Sequence, residues 1–258
     1  MNRALIITDL DQEQASQFGE RVQQLLAGQR TIEWEIVTGD QYSSTLDLLS
    51  LLESRTTDLI CCYRNLHSAA WQHPHSLGAH LDVLIQKTSP PVLVLPHPQA
   101  GYAYEHAYSS DRRVLAMTDH ITDDDKLVSY AAEFSGPSAH LYLAHIEDES
   151  TFARYIDAIS KITTIDTANA EATIRHQLLK YPTDYIDSCR AVLTSEFPHL
   201  TVEAIVTYGH HLSDYLGYVN DLGINLLVMH GKDEDQLAMH GLSYPLAIEL
   251  RQIPLLII

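Results

Sequence analysis

Apolar and polar positions along this chain follow two periods. Short apolar runs rich in Val, Ile and Leu are separated by longer stretches in which apolar residues recur every three or four positions. The runs predict strands near residues 3–8, 32–38, 58–63 and 91–95, and again near 113–118, 139–146, 201–207, 224–230 and 253–258, with helices between them. Alternating strand and helix patterns of this kind predict βαβ units and a parallel sheet covered on both faces.

The same order of segments occurs twice. "RALIITDLD" (3–11) matches "RVLAMTDHI" (113–121), each a basic residue, an apolar strand and Thr-Asp. "IVTGDQYSSTLDLL" (36–49) matches "IVTYGHHLSDYLGY" (205–218), a strand ending at Thr, a Gly and a helical pattern. Gly78 opens "GAHLDVLIQKTSPPVLVL" and Gly241 opens "GLSYPLAIELRQIPLLII", each a helix followed by Pro and an apolar strand. Repetition in fixed order implies two homologous halves. Their boundary falls near Ala100 to Asp111, within an aperiodic stretch rich in Pro, Tyr and Ser. Asp9 to Ile36 spans one helix where Asp119 to Ile205 spans about three elements, so the first half is expected to lack a β-α unit.

Composition narrows the class. A chain of 258 residues with 45% apolar content can bury a core of one large or two small domains. No stretch has the roughly 18 apolar residues of a membrane span, and the run Ala4 to Ile7 is too short for a secretory signal, so a cytoplasmic protein without membrane insertion is expected. Cys61, Cys62 and Cys189 form no disulfide framework or metal spacing, and the adjacent pair sits in an apolar run as small hydrophobes. Net charge is −18: residues 1–100 carry 11 acidic against 6 basic side chains, and the rest 23 against 10. Such a surface repels nucleic acid and anionic lipid.

A strand ending in Asp, a strand ending in Gly before a helix, an apolar strand with a glycine loop, then helix, Pro and terminal strand resemble the universal stress protein family in its tandem form, over nearly the whole chain. The resemblance implies two open parallel-sheet domains of the adenine nucleotide alpha hydrolase-like, Rossmann-like α/β class, at 1–100 (shortened) and 112–258. It implies that they pair through the terminal strands 91–95 and 253–258. In nucleotide-binding members the loop after the fourth strand reads G-x2-G-x9-G-(S/T), and the early Asp contacts the adenosine end. Glycines there let backbone N–H groups wrap phosphate oxygens.

In the second half Gly231-x9-Gly241 keeps the last spacing, but the first glycine is absent, Leu242 stands where the family has Ser or Thr, and Ser243 follows one place later. In the first half Gly78 survives, while Tyr63 and Leu66 fall near the other glycine positions. Asp233, Glu234 and Asp235 border the place of a triphosphate, and each like-charge contact at 4 Å costs on the order of 1 kcal/mol in water. A micromolar affinity is only about 8 kcal/mol, although a bound Mg²⁺ reverses the sign. The loop therefore reads as a remnant or as a weakened ATP site, with Asp119, Gly231, Gly241 and Ser243 as the candidate nucleotide-binding residues.

Other features carry two readings each. Asp9 and Asp119 end the first strand of each half, where a ligand edge is expected, but also stand where Asp caps a following helix. Local histidine groups occur at His73, His75 and His80, at His210 and His211, and at His230 and His240. They match no finger or zincin spacing and read as surface or loop residues rather than metal ligands, or as groups titrating near pH 6. No Ser/His/Asp or Cys/His signature stands out. Tyr102, Tyr104 and Tyr108 in the linker are expected to pack between the halves.

The sequence thus leads to a non-catalytic, universal-stress-type regulatory protein in which the second half holds at most a weakened adenine-nucleotide site, as a monomer or a homodimer. A module binding a protein partner is the alternative. A nucleotide-using enzyme would need an intact glycine loop with a basic residue, and only Lys232 lies near.

Overall fold

The computed structural model describes residues 2–26, 32–72, 75–109, 111–118, 124–136, 139–231 and 241–258. It is an α/β fold built on one nine-stranded sheet. The first half contributes β1 (Arg3–Ile7), α1 (Gln12–Leu25), β2 (Glu33–Val37), α2 (Thr45–Glu53), β3 (Leu59–Tyr63), α3 (Ala79–Lys87) and β4 (Val92–Leu95). The second contributes β5 (Arg113–Met117), α4 (Asp124–Ser135), β6 (His140–Asp148), α5 (Glu149–Ser160), α6 (Thr167–Glu196), β7 (Thr201–Gly209), α7 (His211–Asp221), β8 (Leu226–Met229), α8 (Ser243–Glu249) and β9 (Leu255–Ile257).

Strand order is β2-β1-β3-β4-β9-β8-β5-β6-β7, parallel throughout except at the centre. There β4 meets β9 antiparallel, with Val92, Leu93 and Val94 opposite Ile257, Leu256 and Leu255, the pairing of terminal strands that the resemblance implied. The carboxyl ends of the strands in the two halves therefore face opposite edges of the sheet. Each edge is a place where open α/β sheets bind ligands.

The central strands are continuous apolar runs because helices cover both faces. "LICCY" in β3, "VLVL" in β4 and "LLVM" in β8 are buried at every position. Cys61 and Cys62 belong to this core, and burial pushes the Cys62 thiol up to about 12. The helices begin on local caps: Asp11 accepts from the Gln14 N–H ahead of α1, and Ser44 and Asp47 form a reciprocal capping box on α2.

Among the described residues the first half has four strands and the second five. β2 lies beside β1 in the place that β6 takes beside β5, although its sequence matches β7. Between β5 and β7 the described residues form four elements rather than three. "ITTI" (162–165), β-branched throughout, breaks a helical stretch into α5 and α6, and Asp166 caps the second. β6 and β7 are nine residues long against five in β5 and run on beyond it as a two-stranded ribbon.

The linker tyrosines fix the chain between the halves. Tyr104 donates its hydroxyl to Asn220 Oδ1 at 3.1 Å and its N–H to the carbonyl of Gln252 at 3.1 Å. Tyr108 packs against the core, and Tyr102 lies beneath the Arg251 guanidinium. Among the described residues, no helix is long and apolar enough to cross a membrane.

Candidate functional site

At the carboxyl edge of the first half the chain fills its own site. β1 ends at Thr8-Asp9, and the Asp9 carboxylate accepts a short hydrogen bond from the Tyr63 hydroxyl and another from the His67 N–H at 2.7 Å. The same hydroxyl accepts from the Asp9 N–H at 3.2 Å and lies 2.7 Å from Thr8 Oγ1. Tyr63 thus joins the end of β1 to the end of β3. Burial, reinforced by Asp9, raises the Tyr63 hydroxyl pKa and keeps it a donor.

The described residues of 64–72 and 75–78 fold back over this edge. Asn65 and His67 take the left-handed conformation (φ 58° and 56°), and Asn65 N–H donates to the Leu77 carbonyl at 2.8 Å. Gly78, at φ 89°, could not carry a side chain, because a Cβ would lie 2.8 Å from Asn65 Cα. Aromatic rings then close the space. Trp71 stacks on His97 at 4.8 Å, Tyr63 meets His97 edge-on at 4.9 Å, and Tyr42 meets His67 at 4.7 Å and His80 at 5.6 Å. Burial holds the His97 imidazole down to about 4 and also lowers His80.

The opposite edge has a cleft of about 580 Å³, lined by Asp148, His210, His211, Leu212, Ser213, Leu216, Gly241, Leu242 and Pro245. Asp148 ends β6 and caps α5, accepting from Thr151 N–H at 2.6 Å; that bond holds its carboxyl below the usual range. His211 Nε2 donates to the Ile146 carbonyl at 2.6 Å, and His210 N–H donates to Asp214 at 2.8 Å. Behind this wall Arg175 lies 4.4 Å from the ring centres of Phe152 and Tyr208 and pairs bidentately with Glu149 at 2.6 and 3.1 Å. This brace holds α5 and α6 on the ribbon of β6 and β7.

The candidate nucleotide residues fall in separate surroundings. Gly241, at φ 52° with open space where a Cβ would lie, lines the cleft. Gly231 lies at the junction of the halves: its N–H donates to the Ile258 carbonyl at 2.9 Å, and a Cβ would stand 2.6 Å from Ile257 Cγ2 and 3.0 Å from Ile85 Cγ2. Ser243 donates its hydroxyl to the His230 carbonyl at 2.7 Å, tying the start of α8 to the exit of β8. Asp119 and the acidic run Asp233 to Asp235 lie outside the described residues. Among the described residues no group of three or more His, Cys, Asp or Glu side chains is placed to hold a metal ion.

No family model and no curated protein matches the chain. Solved structures match its fold over nearly its whole length. A universal stress protein from Archaeoglobus fulgidus is 13% identical, covers 99% of this chain and 95% of its own, and superposes with a TM-score of 0.55. A protein of unknown function from Pseudomonas aeruginosa PAO1 is 12% identical, covers 100% and 92%, and gives 0.54. A putative universal stress protein from Pseudomonas aeruginosa UCBPP-PA14 is 12% identical, covers 100% and 93%, and gives 0.52. The chain therefore has the fold of the universal stress proteins, an α/β sheet of the Rossmann-like class.

Proposed function

We propose that this chain is a tandem universal-stress-type regulatory protein, built of units at 1–100 and 112–258, that binds a ligand without turning it over. Its first unit has exchanged a nucleotide site for an internal plug. Its second unit takes an adenine nucleotide weakly in the cleft beside Gly241, and the cytoplasm, with ATP abundant and cysteines reduced, suits it.

The observation that carries this reading is the engagement of Asp9. Both carboxylate oxygens are already bonded, to Tyr63 and to the His67 N–H, so a ligand hydroxyl would have to compete with a buried tyrosine and a backbone donor for Asp9. In the second unit the cleft presents an open glycine and apolar walls, which suit a heterocycle. Its described lining contains no Lys or Arg. That favours an affinity of about 0.1–1 mM, equivalent to 4–5.5 kcal/mol.

Thermal unfolding at rising ATP, with and without Mg²⁺, together with an assay of released phosphate, tests the proposal. The expected result is a saturable rise in Tm with no phosphate release. Turnover would make the chain an enzyme. No stabilisation at millimolar ATP would leave the protein-interaction reading, for which a net charge of −18 favours a basic partner.

A further inference from the structure

At the junction between the halves lie two arginines, Arg64 buried and Arg251 half-buried, neither with a counter-ion among the described residues. Arg64, directly after β3, is 2% exposed, and it donates Nη2 to the Leu250 carbonyl at 2.6 Å and Nη1 to the Ile248 carbonyl at 3.3 Å. These carbonyls end α8 and offer only the fractional negative charge of a helix C-terminus. The Arg64 Nε–H is buried and has no partner among the described residues.

Arg251 is the next residue after Leu250, so the two guanidinium groups share this corner. The Arg251 guanidinium lies 5.6 Å from the centre of the Tyr102 ring, and its Nε–H is likewise buried without a partner. Among the described residues no carboxylate lies within ion-pair distance of either guanidinium. Burial lowers the Arg64 pKa to about 10, and the Arg251 charge pushes in the same direction.

Two like charges with idle donors in a half-dry corner are unfavourable unless something negative sits between them. The chain has more than twice as many acidic as basic side chains, yet none of the described ones is placed there. We propose that a chloride ion binds between Arg64 and Arg251 and forms part of the junction. An oxyanion is best held by the paired N–H fork of a guanidinium, but both Arg64 Nη atoms already donate to backbone carbonyls, and among the described residues Nε is the one Arg64 guanidinium nitrogen with no partner. A spherical acceptor needs only one N–H from each side, and the two Nε–H groups are buried donors without a partner among the described residues.

The test is thermal unfolding of the full chain at constant ionic strength, with sodium chloride replacing sodium gluconate stepwise. The expected result is a saturable rise in Tm of about 3–8 °C in chloride. Arg251→Gln and Arg251→Lys, which change a half-exposed side chain and remove its Nε–H in different ways, are expected to lose most of that rise. Equal Tm in both salts would overturn the proposal, as would a full chloride response in either variant. A saturable rise in phosphate alone would overturn the assignment to chloride.

Discussion

Gly231 shows how the packing reading of a glycine is tested against the ligand reading. Adding one methyl group, Gly231→Ala, puts a carbon 2.6 Å from Ile257 Cγ2 and 3.0 Å from Ile85 Cγ2. Carbon atoms in contact sit about 3.5–4.0 Å apart, so the first approach is short by roughly 1 Å. Ile257 is 2% exposed in β9 and Ile85 is 6% exposed in α3, and neither has solvent to move into. The overlap must be relieved by shifting the strand that joins the halves. Overpacking of this kind costs about 1–3 kcal/mol, and in a chain of this size each kcal/mol lowers Tm by about 2–4 °C. Differential scanning calorimetry should therefore show a Tm about 2–12 °C lower. Gly241→Asn is the control, since that site is left-handed and open and Asn adopts this conformation readily; its Tm should move by less than about 2 °C. A Gly231→Ala protein with wild-type Tm and a lost ATP response would refute the reasoning and return Gly231 to the phosphate.

Four further outcomes follow from the same contacts. Tyr63→Phe removes the donor to Asp9 and the partner of Thr8, so urea unfolding should show a loss of about 1–3 kcal/mol; an unchanged midpoint would mean that Asp9 does not depend on Tyr63. Ser243→Ala, which deletes a 2.7 Å bond to the His230 carbonyl, should cost about 0.5–1.5 kcal/mol in the same assay while leaving any ATP response intact. Arg175→Ala should speed amide exchange in α5 and the first turns of α6 but leave β3, β4 and β8 unchanged, because the brace joins only α5, α6 and the ribbon strand β7. For His97, burial lowers the imidazole from 6.5 to about 4, so between those values the unfolded chain holds a proton that the folded chain refuses. Stability should therefore fall as pH drops from about 6.5 to 4, and His97→Phe should flatten that slope, with His80 contributing in the same direction.

The strands were legible because a parallel sheet buried on both faces leaves no polar position in β3, β4 or β8, which makes each a continuous apolar run. The repeated sequence Gly, helix, Pro, strand likewise located β4 and β9, and their pairing, which the family resemblance implied, is the one that forms. The break between α5 and α6 was harder to see, since a single β-branched stretch decides it. The site was legible only in outline. Tyr63 at a glycine position was visible, but its bond to Asp9 joins residues 54 positions apart. The spacing of Gly231 and Gly241 suggested a shared loop, yet the neighbours that forbid a side chain at Gly231 come from α3 and β9. Of the histidine groups, His210 and His211 do line one cleft together. His67 and His97, outside any local group, join His80 in the plug through chain folding alone.

Binding stoichiometry tests the central claim, that one edge is plugged and the other open, most directly. Isothermal titration of ATP with Mg²⁺ into the full chain and into Gly241→Asp, a residue that tolerates the left-handed conformation at an uncrowded position, reads it out. The account predicts one site per chain, abolished by Gly241→Asp and unaffected by Tyr63→Phe. Two sites per chain, or a single site that survives Gly241→Asp and is lost in Tyr63→Phe, would contradict it.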